Sequence, residues 1–377
     1  MKKRVLALLL ALTLVFALAA CGGGTADPTP APAATEAPAA TPAAPAAPAT
    51  PEGFQVDIFF YSFADTFMAS VRAALEANLV SAGMEFTSHD ADRDPSRQVD
   101  QIRTALTMGT DLIMINVVST GAEDVALYMV EMAREADVPI IFFNREVSDA
   151  VINAWENVIY VGTDAPEAGF MQGELIYNMI RDNIEQYDRN GDGYISYIMF
   201  KGELGNPEAQ GRTEFSVYQA NQMLEAAGLP TLRFYDPANS DLYISANWSA
   251  ATAHEAMLTA LNTNPMTGPN PIELVIANND DMALGAIEAL NGIGFNTGDP
   301  DSDYIPVFGV DATDVARDAI NAGRMTGTIE QSATGMAEAL VFLASNVMNG
   351  GHLMDNTASF NIDAHVEKIR IPHGMVS

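Results

Sequence analysis

From Gln55 onward, short runs of apolar and β-branched residues recur roughly every 25 to 35 residues, each followed by a stretch with helical spacing. In the first half Gln55–Tyr61, Met84–Ser88, Leu112–Ile115, Val138–Phe143 and Val158–Val161 read as strands. In the second half the strands are Tyr194–Phe200, Leu232–Tyr235, Leu274–Ala277, Ile305–Val310 and Thr326–Ile329. Helical patterns fill the intervals: Phe67–Ala82, Gln98–Met108, Ala122–Ala136 and Glu167–Asn183, then Glu208–Ala227, Ser245–Asn262, Met282–Ile293 and Gly335–Met348. The strands are unbroken, as in Pro139-Ile140-Ile141-Phe142-Phe143, a pattern of parallel strands covered by helices on both faces. About five strands per half predict two doubly wound α/β domains, whose ligands bind beyond the carboxyl ends of the strands.

The first 53 residues lack this pattern. Met1-Lys2-Lys3-Arg4 is basic, and Val5–Leu18 is an apolar run of secretory length, too short to span a membrane. It closes on Leu18-Ala19-Ala20-Cys21, and Cys21 is the single cysteine of the chain. This resembles a bacterial lipoprotein signal: residues 1–20 would be removed and Cys21 would carry the lipid; the alternative is an ordinary signal peptide. A lone thiol excludes a disulfide framework and a cysteine-based zinc or iron–sulfur site. Residues 21–53 form a Pro/Ala-rich linker without bulky apolar side chains to offset the entropy of ordering. With 18 Lys+Arg against 49 Asp+Glu, the net charge of -31 opposes a nucleic-acid groove.

The expected strand ends are rich in Asn, Asp and aromatic residues: Asp65-Thr66-Phe67, Phe143-Asn144-Arg145, Asn278-Asn279-Asp280-Asp281, Asp311-Ala312 and Glu330-Gln331. Any one of these could simply cap a helix. Together they suit a polyhydroxylated ligand, because hydroxyls donate and accept at once and are satisfied by amides, carboxylates and guanidinium groups.

In order and spacing, Asp65-Thr66-Phe67-Met68, Phe142-Phe143-Asn144-Arg145-Glu146, Tyr160-Val161-Gly162-Thr163-Asp164, Ile276-Ala277-Asn278-Asn279-Asp280 and Pro306-Val307-Phe308-Gly309-Val310-Asp311-Ala312 resemble the periplasmic galactose/glucose-binding family of sugar ABC transporters. The resemblance implies a type I periplasmic binding protein fold, two Rossmann-like lobes joined by three hinge segments. It places residues 54–163 plus 331–366 in an N-terminal lobe and 164–330 plus 367–377 in a C-terminal lobe. It implies that Asp65, Asn144, Arg212, Asn279 and Asp311 hydrogen-bond a sugar while Phe67 and Trp248 stack on its faces. Asn206, Glu208 and Gln331 stand where the family carries His, Asp and Asn, so galactose, glucose or a related sugar all remain open.

A second signal is Asp188-Arg189-Asn190-Gly191-Asp192-Gly193-Tyr194-Ile195-Ser196, with oxygen donors at calcium-loop positions and Gly193 at the sharp turn. The twelfth position is Met199, which excludes a complete calcium hand. The resemblance supplies Glu273 to close the shell and makes the Ca2+ structural. The implied protein is no enzyme: a monomeric, lipid-anchored, extracytoplasmic lipoprotein that captures a monosaccharide and delivers it to an ABC permease. Two other readings stay open, a sugar-sensing input protein for a chemoreceptor or histidine kinase and a carbohydrate-active enzyme.

Overall fold

The computed structural model describes residues 53–377. The expected signal peptide (1–20), Cys21 and the linker through residue 52 lie outside the described residues. Residues 53–377 fall within one compact unit.

The chain begins β1 (Gln55–Phe60), α1 (Thr66–Ala82), β2 (Glu85–Asp90), α2 (Pro95–Met108), β3 (Leu112–Ile115) and α3 (Glu123–Glu135). It continues through β4 (Ile140–Phe143), α4 (Asp149–Ile152), β5 (Val158–Gly162), α5 (Ala165–Ile180), α6 (Ile184–Tyr187), β6 (Tyr194–Lys201) and α7 (Pro207–Ala226). Next come β7 (Thr231–Phe234), β8 (Ile244–Ser245), α8 (Ala250–Thr263), β9 (Leu274–Ala277), α9 (Asp280–Asn291), β10 (Val307–Asp311) and α10 (Asp314–Asn321). The last elements are β11 (Gly327–Gln331), α11 (Ala333–Met348), β12 (Asn361–Ile362), β13 (Lys368–Arg370) and β14 (His373–Val376).

Two seven-stranded sheets result, ordered β12-β13-β5-β4-β3-β1-β2 and β14-β11-β10-β9-β6-β7, with β8 paired to β6. Each contains the same kind of parallel core, in which the first strand of the half is flanked on both sides by later ones: β1 between β2 and β3, and β6 between β7 and β9. That order makes a topological switch point beside β1 and another beside β6, where crevices open at the carboxyl ends of the strands. Alternation within each strand builds a core on both faces of the sheet. In β9, Leu274 and Ile276 join one cluster while Val275 and Ala277 join the other. In β1, Val56, Ile58 and Phe60 pack on one side and Phe59 on the other. Each such buried side chain contributes about 1.5–3 kcal/mol.

Local chemistry fixes the helix starts. Asp65 and Asp94 cap α1 and α2 through their carboxylates, and Pro95 opens α2 at a position that needs no amide donor. Helices α5 and α7 approach until a Cβ at Gly169 would lie 2.5 Å from the Gly211 carbonyl oxygen. Only glycine permits that backbone contact.

The chain passes between the sheets at 163–164, 332 and 371–372, since β5, α11 and β13 belong with the first sheet and α5, β11 and β14 with the second. Two expected boundaries need correction. The tail from 367 was assigned to the second lobe, yet β13 pairs parallel to β5 in the first sheet and only β14 returns to the second. Gln331, assigned to the first lobe, is the last residue of β11 in the second sheet. Helix α10 and strands β12, β13 and β14 were not expected at all. None exceeds eight residues, too short for a pattern to stand out.

Candidate functional site

The carboxyl ends of both sheets face each other across one cavity of about 370 Å³, counted to its open mouth. It is lined by Tyr61, Asp65, Phe67, Asn144, Arg145, Asn206, Glu208, Arg212, Trp248, Asn279, Asp311 and Gln331. Every residue expected around a ligand is therefore brought to the same place. Tyr61 and Arg145 had not been singled out. Their signal was adjacency, at the end of β1 and next to Asn144.

Three of the lining residues cap helices at the same time. Asp65 Oδ1 accepts from Met68 N at 2.7 Å, Asn206 Oδ1 from Ala209 N at 2.8 Å, and Asn279 Oδ1 from Met282 N at 3.0 Å. The cap fixes each side chain and, for the two asparagines, leaves the amide NH2 as the free end. Asp65 is further engaged by the Tyr61 hydroxyl, which donates to Oδ2 at 2.6 Å. Burial and the Asp65 charge hold the Tyr61 phenol well above its usual range, so it stays a donor.

Arg145 lies over the Tyr61 ring at 4.3 Å, donates to the Val118 carbonyl at 3.0 Å, and pairs with Glu203 of the opposite lobe. Arg212 donates to the Asn278 carbonyl at 2.8 Å and stands 3.7 Å from Asp311. Asp311 has φ 121 and Ala312 φ 53, an unfavourable backbone that the buried Asp280 holds in place. Asp280 Oδ2 accepts from Thr313 N at 2.8 Å and Oδ1 from Thr328 Oγ1 at 2.6 Å. Burial raises the Asp280 carboxyl to about 7 and pushes Asp311 well above the carboxylate range, Arg212 opposing the latter. Burial also raises Glu208, whose Oε1 accepts from the Glu146 amide across the cleft at 3.0 Å.

Trp248 forms a wall of the cavity with its own backbone at φ 62. Its ring lies on Gly202, where a Cβ would come within 2.4 Å of the ring atoms. Four buried polar atoms of the lining residues find no partner among the described residues: Arg145 Nε, Glu208 Oε2, Arg212 Nε and Trp248 Nε1. A buried polar group left unpaired is costly, so this set of three donors and one acceptor calls for a guest rich in hydroxyls.

The acidic loop stands at the opposite, amino-terminal end of β6. Asp188 accepts from Asp192 N at 3.1 Å and Gly193 N at 3.0 Å, folding its oxygens inward. Glu273, 1% exposed, reaches under the loop, accepting from Arg189 N at 2.6 Å and Ser196 N at 2.8 Å. Burial raises its carboxyl. Among the described residues no group of three His, Cys, Asp or Glu side chains gathers at metal-holding distance. The fit to a hard cation therefore depends on the Asn190 amide, the Tyr194 carbonyl and the Ser196 hydroxyl beside the carboxylates. That all-oxygen donor set, with a buried acid beneath it that bonds backbone amides, suits calcium, and the Arg233 guanidinium now paired with Asp192 would have to yield to the ion.

A family profile described as the periplasmic binding protein domain matches residues 56–352. The chain is 31% identical over 305 residues to the D-galactose/methyl-galactoside binding periplasmic protein of Haemophilus influenzae, covering 80% of this chain and 84% of that protein. It is 23% identical to the ribose import binding protein of Escherichia coli, over 75% of this chain and 81% of the other. Among solved structures it is similar to a solute-binding protein of an ABC transporter from Bacillus halodurans with bound myo-inositol. There the TM-score is 0.65 at 24% identity, covering 87% of this chain and 96% of that one.

Proposed function

The chain belongs to the periplasmic binding protein family, and on that premise we propose that it holds a galactose- or glucose-like monosaccharide between its lobes and hands it to an ABC permease. The family consists of extracytoplasmic sugar-binding transport proteins, not enzymes. Among the described residues no helix is long and apolar enough to cross a membrane.

One observation supports the sugar reading above others: two aromatic walls and a ring of capping amides, carboxylates and arginines surround a cavity whose lining residues carry four buried polar atoms without partners among the described residues. Apolar C–H faces of a sugar fit Phe67 and Trp248, and its hydroxyls fit the rim. Because the guest contacts both lobes only when they close on it, binding shifts the chain toward the closed form. A thermal-shift screen across pentoses, hexoses and cyclic polyols tests this. A sugar present at a thousand times its Kd stabilises the fold by about 4 kcal/mol, a clear rise in Tm. A flat response to all of them would remove the sugar reading.

The 31% relative supports galactose as the first sugar to try. The one-methylene extensions at Glu208 and Gln331 and the Asn206 amide make the preferred sugar a matter for that screen. Calcium, held by Asp188, Asn190, Asp192, Tyr194, Ser196 and Glu273, would tie the loop before β6 to the start of β9. We expect EDTA to lower the melting temperature of a calcium-loaded sample by several degrees while leaving the ranking of sugars unchanged; superimposable melts would refute the calcium assignment. Cys21 would anchor a monomer to the membrane through its lipid, and Cys21→Ala should move the protein to the soluble fraction, with continued membrane association counting against the anchor.

A further inference from the structure

Gln331 is set apart from the other lining residues by what its two ends already hold. Its Nε2 donates to Asp311 Oδ1 at 2.6 Å, the shortest bond that Asp311 makes. Its Oε1 accepts from the Thr163 hydroxyl at 3.3 Å, a long bond but the only partner that hydroxyl has among the described residues. Both groups are buried, Thr163 at 1% exposure and Gln331 at 5%. Thr163 is the first residue after β5 and stands where the chain first leaves the first sheet; Gln331 stands where it leaves the second. The third crossing joins the same knot, because Arg370 Nη1 donates to the Thr163 carbonyl at 2.8 Å. One amide thus spans two hinge segments and ends on a carboxylate of the cavity.

We propose that Gln331 is a positioning residue, a strut that ties Asp311 to the hinge at Thr163 so that what Asp311 holds governs how far the lobes open. The extra methylene relative to asparagine lengthens the reach of the amide toward both partners. This deepens the sugar-capture reading and rests on it. The ligand gains its hold on the hinge through Asp311, and Gln331 need not touch the ligand.

The test uses the full chain with Cys21→Ser, Ser81→Cys and Thr259→Cys, so that spin labels on exposed helix positions report the distance between lobes. Gln331→Met keeps length and volume but neither bond; Thr163→Val cuts the hinge end alone. Without ligand, Gln331→Met should broaden the interlobe distances toward longer values, and Thr163→Val should do so to a smaller extent. With D-galactose as the probe, affinity in Gln331→Met should fall about tenfold while the order of preference among hexoses stays the same. A ligand-free distance distribution identical to that of the parent chain overturns the strut, whatever happens to affinity. A changed order of sugars with unchanged distances would make Gln331 a plain ligand contact instead. Should no sugar shorten the distance in the parent chain, the capture reading fails, and the ligand-free comparison still decides the strut. If Gln331→Met does not fold, Thr163→Val carries the same comparison.

Discussion

Asp311→Ala should lower sugar affinity by about 100-fold or more, while the ligand-free protein melts no lower than the parent. Asp311 is 6% exposed, and its carboxylate is the junction at which Arg212 and Gln331 meet the cavity. Removing one partner of a buried, charge-assisted hydrogen bond costs about 2–5 kcal/mol of binding. Stability answers differently. Burial raises the Asp311 carboxyl in the folded state, so the group favours folding below its unfolded value of 3.8. That contribution is lost as pH rises through the raised folded value. The variant should therefore lose less stability than the parent as pH rises from below 3.8 through that raised value. Calorimetry with the sugar found by screening, and melting curves across pH, check both halves. Unchanged calorimetry would remove Asp311 from the site, and a collapse of the ligand-free fold would make it a structural residue.

Gly202→Ala should weaken the same sugar at least about tenfold by displacing the Trp248 indole from the wall of the cavity. The added methyl would lie 2.4 Å from the Trp248 ring, so the indole must leave its place on the strand end. Trp248 already holds a left-handed backbone, and Asn247 beside it has φ 49, which leaves little room for a compensating shift. Tryptophan fluorescence should report the displaced ring, and calorimetry the lost affinity. Full affinity in Gly202→Ala would show that Trp248 is not a wall of the ligand site.

The capping residues explain why so much of this site was legible. Asp65, Asn206 and Asn279 each begin a helix after a parallel strand, and each also turns a remaining polar atom or edge toward the cavity. Capping and ligand binding had looked like rival explanations for these positions; in a doubly wound sheet they coincide, because helix starts stand at the carboxyl ends of strands. The buried strands were legible for a similar reason: Ile140–Phe143 is wholly buried and therefore wholly apolar.

What escaped the sequence is what tertiary context decides. The exit at 371–372 is set by pairing, since Lys368–Arg370 lies beside β5 while His373–Val376 runs antiparallel to β11. Neither segment carries a pattern that names its sheet. Arg145 reads locally as a charge at a strand end, and only the fold brings Glu203 and the Tyr61 ring to it. Gln331 reads as a ligand amide, and only the crossing of two hinge segments shows that Thr163 and Asp311 already occupy it.

The most direct test is a crystal structure grown with the sugar that gives the largest thermal shift. The account requires an intact monosaccharide between Phe67 and Trp248, its hydroxyls on Arg212, Asp311 and Glu208 Oε2, with both lobes in contact. A sugar-soaked crystal with that cavity empty, or with its guest bound elsewhere or chemically altered, would contradict it.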